Sequence, residues 1–235
     1  MIKTVSHTKI FQEFYKKNTK NFNLSINPPF VMGSLSLLEK TTIATFLKVY
    51  DIQRIFEFGT FLGSTTSILS MNSKIKSKIY SIDLPSKSKF QKFSYKKLSE
   101  IIKKYKINNQ EQNDKCLQEI YSVFGPLYVQ NLKKNYLRKI KLINCDSSQF
   151  DFRKFKNYFD LVFIDGGHDI EIVKKDTKNA FFITKKKGII IWHDVNSKVH
   201  KDVSKYLKKL KIEINHINHT YLGYYKKNSD DKIKL

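Results

Sequence analysis

The chain reads Arg54-Ile-Phe-Glu-Phe-Gly-Thr-Phe-Leu-Gly-Ser-Thr65 shortly before its first third is complete. The run 54–58 is short and mostly apolar, as in a buried β-strand. Two glycines follow it, Gly59 and Gly63, and they let the backbone turn tightly and approach a ligand. Ser64 can begin a helix whose free N–H groups face that turn. The stretch therefore predicts a strand, a glycine turn and a helix, a unit typical of parallel α/β sheets.

Similar short runs recur along the chain, and helical patterns separate most of them. These runs, apolar or alternating, cover residues 78–83, 140–145, 160–165 and 188–192. Ahead of the first strand, Ser36 and Glu39 have the spacing of a capping box, which predicts a helix that ends near Asp51. Strands that alternate with helices predict an α/β domain whose mostly parallel sheet is buried on both faces.

The length of 235 residues, 40% of them hydrophobic, suits one good-sized core. Residues 1–29 are expected to form an N-terminal arm or cap, and residues 227–235 a flexible tail. The main domain then covers residues 30–226. Within it, the segment 86–139 is far longer than one crossover needs, which predicts a lysine-rich helical insertion.

The formal charge of +23 makes nucleic acid a candidate partner, because a lysine-rich surface attracts a polyanion. Only three of the 44 basic residues are arginines, whereas phosphate and base recognition relies on the planar guanidinium. The composition of this basic protein therefore favours a solvated lysine coat. A dedicated nucleic-acid surface stays the alternative.

Cys116 and Cys145 form neither a disulfide framework nor a CxxC zinc motif, and they suit a reducing cytosol. No run approaches the ~20 apolar residues of a membrane-spanning helix. The first residues also lack the apolar core of a signal peptide. The sequence predicts a soluble, cytoplasmic protein with no membrane span, and it leaves the oligomeric state open.

The residues that follow each strand are the candidates for chemistry, because an open α/β sheet binds its ligand beyond the carboxyl ends of the strands. Asp83 can hold the hydroxyls of a ribose there, or simply begin a loop. His168 can take a proton near neutral pH, or form a structural hydrogen bond. Asp165, His193 and Asp194 can chelate a divalent ion, or they can cap a turn and form hydrogen bonds inside the cleft.

Taken together, these segments resemble class I S-adenosylmethionine-dependent methyltransferases. The stretch Glu57-x-Gly-x-x-x-Gly63-x-Thr65 looks like the first motif of that family, and Ile82-Asp83 looks like its ribose-binding acidic position. Cys145-Asp-Ser147 looks like its adenine-contacting turn. The stretch Ile164-Asp-Gly-Gly-His168 and the later His193-Asp194 are similar to a group that includes small-molecule and sugar O-methyltransferases.

The resemblance covers roughly residues 30–226 and implies a Rossmann-like, doubly wound fold. The expected sheet has seven mostly parallel strands with helices on both faces, and its last strand, at 220–225, is antiparallel. Two features depart from the family. Lys186-Lys-Gly188 stands where a Pro-Gly-Gly turn is usual, and the long basic insertion has no recognised counterpart. Both departures concern the acceptor more than the cofactor.

The resemblance implies methylation of a hydroxyl on a small molecule or a sugar or glycoconjugate, with S-adenosylmethionine as cofactor. The alternatives are a nucleic-acid methyltransferase that uses the basic insertion, or a non-catalytic binding protein that retains the fold. The predicted catalytic residue is His168. The predicted cofactor-binding residues are Glu57, Gly59, Thr60, Gly63, Ser64, Thr65, Asp83, Asp146, Ser147 and Asp165. The predicted ligands of Mg²⁺ or another divalent cation are Asp165, His193 and Asp194, and a mechanism without metal stays equally open.

Overall fold

The computed structural model describes residues 1–17, 23–27, 33–86, 93–105 and 107–228. Most of the tail expected at 227–235 lies outside the described residues. So do parts of the predicted arm and of the predicted insertion. Among the described residues, no helix is both long and apolar enough to cross a membrane.

The described residues form one sheet of eight strands. These are β1 (Ile2–Val5), β2 (Arg54–Phe58), β3 (Lys78–Asp83), β4 (Ile140–Asn144), β5 (Phe159–Ile164), β6 (Thr184–Trp192), β7 (Ile214–Ile217) and β8 (Gly223–Lys226). Their order across the sheet is β1-β7-β8-β6-β5-β2-β3-β4. Strand β8 is antiparallel to both of its neighbours, and the other pairs are parallel. The mostly parallel, Rossmann-like sheet with an antiparallel last strand is thus confirmed.

The expected number of seven strands is wrong by one, because the described part of the N-terminal arm joins the sheet. Strand β1 runs parallel to β7, with Ile2 opposite Ile214. The N-terminal ammonium of Met1 also donates a hydrogen bond to the carbonyl oxygen of Ile212, at 2.6 Å. The extra strand covers an edge of β7 that would otherwise expose unpaired backbone groups.

Nine helices lie among the described residues. They are α1 (His7–Lys17), α2 (Leu37–Val49), α3 (Ser64–Asn72), α4 (Tyr95–Lys104), α5 (Gln110–Phe124), α6 (Leu127–Gln130), α7 (Lys134–Leu137), α8 (Ile170–Ile183) and α9 (Lys201–Leu207). The predicted capping box begins α2: Ser36 Oγ accepts from the Glu39 N–H, and Glu39 Oε2 accepts from the Ser36 N–H. Helices α4 to α7 lie in the segment predicted to be a helical insertion.

The sheet is buried on both faces, as the apolar runs predict. Along β5, Val162 and Ile164 pack in a cluster with α8 and α9, while Leu161 and Phe163 pack in a second cluster with α1, α2 and α3. All four are at most 6% exposed. Alternate residues of one strand therefore serve two cores, which explains why the run is apolar throughout.

A third apolar cluster joins helices α4 and α5 to the glycine turn that follows β2. Leu62, in that turn, packs with Ile101 of α4 and with Cys116 and Ile120 of α5. The carbonyl oxygen of Leu62 also accepts a hydrogen bond from the Tyr128 N–H at 2.8 Å. This packing brings helix α5 over the carboxyl ends of the strands.

Candidate active site

A cavity of about 1170 Å³ lies at the carboxyl ends of the parallel strands. Its lining includes a residue at or just beyond the end of each of five strands: Gly59, Asp83, Asp146, Asp165 and His193. Pockets for a single drug-sized ligand typically measure ~300–1,000 Å³. The cavity is therefore large enough for two small ligands side by side.

The cavity is acidic although the chain as a whole is strongly basic. Of the described residues that line it, only Lys175 and Lys198 are lysine or arginine, in a protein with 44 of these residues, and four histidines line it as well. Eight carboxylates line it, out of 21 acidic residues: Glu39, Asp83, Asp114, Asp146, Asp165, Asp169, Asp176 and Asp194. Walls of one charge sign raise the local concentration of the opposite sign. The interior therefore favours a cationic ligand and opposes a phosphate group.

Asp83 performs the loop-holding role that the sequence left open. Its Oδ2 accepts hydrogen bonds from the backbone N–H groups of Thr60 and Phe61, at 2.8 and 2.7 Å. Its Oδ1 accepts from the Leu84 N–H at 2.7 Å. Burial raises the pKa of Asp83, although these three backbone hydrogen bonds act in the opposite direction. A carboxylate has about four acceptor positions, so one remains for a ligand in the cavity.

Glu57 does not line the cavity, contrary to the sequence-based expectation that it answers a cationic cofactor. The residue is fully buried, and its Oε2 accepts hydrogen bonds from the hydroxyls of Thr66 and Ser81. Burial raises the pKa of Glu57 to about 8. A carboxyl group with a raised pKa is less able to supply a counter-charge at neutral pH. Glu57 instead ties helix α3 to strand β3 beneath the turn.

Four other predicted cofactor residues, Thr60, Gly63, Ser64 and Thr65, are also outside the cavity lining. Gly63 begins helix α3, and neither it nor Ser64 or Thr65 is among the residues that line the cavity. Thr60 contributes its backbone N–H to Asp83, while its hydroxyl lies 2.6 Å from that of Ser81. The structure therefore gives these residues a role in shaping the turn.

The turn after β4 joins the cavity to a buried carboxyl group that the sequence analysis missed. Asp146 accepts a hydrogen bond from the Ser148 N–H, and Ser147 donates one to Asp176 Oδ1 at 2.7 Å. Asp176 belongs to α8 and is 2% exposed. Its spacing from Val173 and Ala180, on the apolar face of the helix, is the signal that could have identified it.

Burial raises the pKa of Asp176 to about 7 from a usual value of 3.8. The unfolded chain loses this proton near pH 4 and the folded chain near pH 7, so stability falls across that window. The free energy of unfolding falls by about 4 kcal/mol in all, because each unit of difference between the folded and unfolded pKa corresponds to 1.36 kcal/mol. We expect Asp176→Asn, whose amide oxygen can still accept from Ser147, to be more stable than the wild type at pH 8 and to show a smaller difference between pH 5 and pH 8.

Thermal unfolding at the two pH values measures this effect. Asp169→Asn is the matched control, because it removes one carboxylate at the N-cap of the same helix while asparagine keeps the capping function. Equal pH dependence in wild type and Asp176→Asn would contradict the assignment.

Beyond Asp165, imidazoles and carboxylates form a dense cluster around His168. Its Nδ1 lies 2.7 Å from Asp114 Oδ1, and its Nε2 lies 3.0 Å from Asp194 Oδ2. Burial acts to lower the pKa of His168, but the two carboxylates outweigh it and raise the pKa to about 10. Both ring nitrogens thus have carboxylate partners, and the predicted role as a base requires one of these contacts to open.

The predicted metal ligands Asp165, His193 and Asp194 lie together at the ends of β5 and β6. His193 Nδ1 is 3.0 Å from Asp165 Oδ1 and 3.2 Å from Asp194 Oδ2. Burial acts to lower the pKa of His193, while the two carboxylates raise it well above its usual value. The backbone of Asp194 has φ of 59°. A non-glycine residue in that region costs about 1–3 kcal/mol, and such strain clusters at functional sites.

Four residues of the cluster were not identified from the sequence. Asp114 and Asn113 belong to α5, and His200 precedes α9. Glu39 was identified only as part of the capping box, yet its Oε1 accepts from the Tyr221 N–H and lies 3.5 Å from His193 Nε2. Of these four residues, only Glu39 belonged to a recognisable sequence pattern, the capping box with Ser36.

Two groups of side chains in the described residues could hold a metal ion, with ligand atoms within 4.8 Å of one another. One contains Asp165, His168 and Asp194, which includes two of the three predicted ligands, while His193 is in neither group. The other contains Asp114, His168 and His200. The chemistry available here is therefore ion binding or proton transfer beside a cavity that favours cations.

The fold and the site together define a Rossmann-like protein with a large ligand cavity at the strand ends. Residues 56–195, more than half of the chain, match the family described as methyltransferase domain. The chain belongs to this methyltransferase family. The match includes the glycine turn, Asp83, His168 and the pair His193 and Asp194.

Solved structures of methyltransferases share the fold. An SAH-bound methyltransferase, PaMTH1 of Podospora anserina, superposes with a TM-score of 0.51 at 12% identity, covering 93% of this chain and 88% of that chain. A candidate O-methyltransferase from Klebsiella pneumoniae has a TM-score of 0.50 at 12% identity, covering 93% and 86% of the two chains. At this identity the likeness concerns the fold alone. A comparison with curated proteins found no significant match.

Proposed function

We propose that this methyltransferase transfers a methyl group from S-adenosylmethionine to a hydroxyl oxygen of a small molecule, such as a sugar or glycoconjugate. The observation that carries the proposal is the single cavity that holds Asp83 and Asp146 as well as the cluster around His168. Its size suits a donor and an acceptor together. Its negative lining suits a donor that carries a sulfonium.

We assign the donor end of the cavity to the carboxyl ends of strands β2, β3 and β4. Asp83 has one acceptor position left for a ribose hydroxyl, and Asp146 and Ser147 lie beyond the next strand for the adenine. The SAH-bound state of the Podospora protein, which shares the fold, supports this cofactor. When bound, S-adenosylmethionine supplies an electrophilic methyl group.

The acceptor end is assigned to the cluster beyond Asp165. Methyl transfer from a sulfonium is an in-line displacement: the sulfur–carbon bond breaks, an oxygen–carbon bond forms, and the hydroxyl proton must leave. The carboxylates of Asp114 and Asp194 can take that proton, and His168 can take it once it has passed one of its own ring protons to either carboxylate. The buried nitrogen of His200 that lacks a hydrogen-bond partner also fits a cation. A divalent ion held here would lower the pKa of a hydroxyl bound to it.

The alternative of a nucleic-acid acceptor gains little support at the cavity. Among the described lysines only Lys175 and Lys198 line the cavity, whereas eight acidic side chains do. Labelled methyl groups from S-adenosylmethionine should therefore appear on hydroxylated small molecules and not on RNA or DNA. Transfer to either polymer at physiological salt would favour the alternative.

Binding of the donor product provides a direct test. S-adenosylhomocysteine at about 100 times its Kd should stabilise the protein by about 2.7 kcal/mol, because a ligand of the native state acts by mass action. For a chain of this length, that raises the Tm by roughly 5–10 °C. A nicotinamide dinucleotide is the control. A Tm shift by the dinucleotide and none by S-adenosylhomocysteine would overturn the proposed cofactor.

A further inference from the structure

Two imidazole rings, those of His168 and His200, lie stacked between two carboxylates. Their centroids are 3.6 Å apart and their planes differ by 6°. At one end, Asp194 Oδ2 lies 3.0 Å from His168 Nε2 and 2.9 Å from His200 Nδ1. At the other end, Asp114 Oδ1 lies 2.7 Å from His168 Nδ1 and 3.7 Å from His200 Nε2. Each ring therefore presents one nitrogen to Asp194.

At the Asp194 end, more imidazole nitrogens lie near Oδ2 than one carboxylate oxygen can accept hydrogen bonds from. His193 Nδ1 is the third imidazole nitrogen near Asp194 Oδ2, at 3.2 Å. One carboxylate oxygen has only two lone pairs to accept hydrogen bonds. His200 is 8% exposed, and its Nδ1 is buried without an aligned hydrogen bond although Asp194 is close. A buried ring nitrogen without a hydrogen bond costs free energy. A cation would use the lone pair of His200 Nδ1 in the tautomer that carries its proton on Nε2.

The far sides of the two rings contact polar side chains of helix α5. His168 Nδ1 is hydrogen-bonded to Asp114, and His200 Nε2 lies 2.8 Å from the side-chain amide of Asn113. Ligating histidines almost always donate the N–H of the second ring nitrogen to an acceptor, which fixes the orientation of the ring. Asp114 accepts from His168 Nδ1 as it stands, whereas Asn113 would accept from His200 Nε2 after a half-turn of its amide, which exchanges the positions of its oxygen and nitrogen. Helix α5 supplies both partners, so the segment that departs from the family completes the site.

We propose that one divalent transition-metal ion of the zinc class binds to His168 Nε2, His200 Nδ1 and Asp194, a set that combines members of the two groups of candidate ligands described above. Two imidazoles and one carboxylate suit zinc, iron(II) or cobalt(II), and the set leaves positions open for further ligands. Mg²⁺ prefers an octahedral shell of oxygens. Ion binding requires the rings to turn out of their parallel stack, because two parallel lone pairs cannot meet at one ion. The role of the ion toward an acceptor hydroxyl rests on the proposed function, whereas its binding does not.

The test is metal binding by the full chain after treatment with chelator. We expect one equivalent of Zn²⁺ to stay with the protein through gel filtration, with an affinity at least about 10²-fold above that for Mg²⁺. Co²⁺, used as a second probe, should give the visible absorption of a low-coordinate site. His200→Gln should weaken Zn²⁺ binding on the order of 10²-fold, and Asp114→Asn, which removes only the orienting carboxylate, by about 10- to 100-fold.

The matched control is His219→Asn. This histidine lines the same cavity, its ring contacts the ring of His7, and asparagine tolerates its φ of 60°. Zn²⁺ affinity should be unchanged in this variant. Circular dichroism verifies that each variant is folded, and Asp114→Asn carries the test if His200→Gln is not. Failure to retain Zn²⁺, equal affinity for Mg²⁺, or folded variants that bind like the wild type would overturn the proposal.

Binding of S-adenosylhomocysteine to the same preparations separates the two proposals. Binding of S-adenosylhomocysteine without any retention of Zn²⁺ would overturn the metal site alone. Retention of Zn²⁺ that depends on His200, without S-adenosylhomocysteine binding, would support the metal site and count against the proposed methyl transfer.

Discussion

Replacing Gly59 with alanine is expected to destabilise the protein by more than about 3 kcal/mol and to abolish binding of S-adenosylhomocysteine. Gly59 has φ of 86°, a conformation that strains any residue with a side chain. A Cβ there would also lie 2.0 Å from the carbonyl oxygen of Asp165 and 2.9 Å from Gly166 Cα. These are backbone atoms, which cannot rotate away. Because the Gly59 turn packs directly on the end of β5, the collision pushes apart two strand ends that line the cavity.

The matched variant is Gly63→Ala. Gly63 also has a positive φ, of 78°, but its Cβ would meet a side-chain methyl of Val129, at 2.6 Å. That side chain can shift, so the variant should lose roughly 1–3 kcal/mol from backbone strain alone and still bind S-adenosylhomocysteine. Urea unfolding with and without the ligand measures both effects. Equal losses in the two glycine variants would contradict a backbone collision at Gly59.

The central strands were predictable because their burial leaves a continuous apolar record. Strands β2 and β3 begin and end at the predicted residues, β4 ends one residue early, and β5 both begins and ends one residue early. Strand β6 begins at Thr184 and not at Gly188, since Thr184 already pairs with Phe159 of β5 ahead of a register shift. Edge strands have a weaker apolar pattern in the sequence. Strand β1 has four residues, and its partner β7 lies more than 200 residues away in sequence.

Glu57 shows that a motif can identify a position without identifying the direction of its side chain. Side chains of a strand alternate between the two faces of the sheet. Phe56 and Phe58 pack in the cluster with α8, so Glu57 shares the opposite face with Ile55 and points toward α3. The resemblance identified the position of Glu57. The direction of its side chain follows from the alternation of successive residues along a strand.

Asp114 and His200 could not be found from the sequence, because only tertiary packing brings them to the strand ends. Asp114 lies on α5, whose position depends on contacts of Cys116 and Ile120 with Leu62 in the glycine turn. Nothing local distinguishes it from any other helical carboxylate. Its importance appears only where its Oδ1 meets the ring of His168. Residues after strands are predictable from the topology of the sheet, and residues supplied by packed helices are not.

His168→Ala should lower the rate of methyl transfer by about 10²- to 10⁴-fold, which is the usual contribution of a group that moves a proton in the transition state. A similar or larger loss follows if the ring is a metal ligand. In either role the imidazole acts at the acceptor end, since its nitrogens meet Asp114 and Asp194 and not the residues assigned to the donor. Affinity for S-adenosylhomocysteine should therefore stay within about twofold, while kcat falls.

Chelator separates the two roles of His168, with turnover and S-adenosylhomocysteine affinity measured on the same samples. If the wild type loses activity in excess chelator and regains it with Zn²⁺, the ring acts as a ligand, because removal of the ion reproduces the effect of the mutation. If the wild type stays fully active in chelator while His168→Ala does not, the ring acts on the proton directly. His216→Gln is the control, because His216 lies outside the cavity and its Nε2 pairs with the Thr220 carbonyl oxygen, to which a glutamine amide can also donate. Unchanged turnover in His168→Ala would remove His168 from the reaction altogether, and a loss of S-adenosylhomocysteine binding in that variant would move it to the donor end.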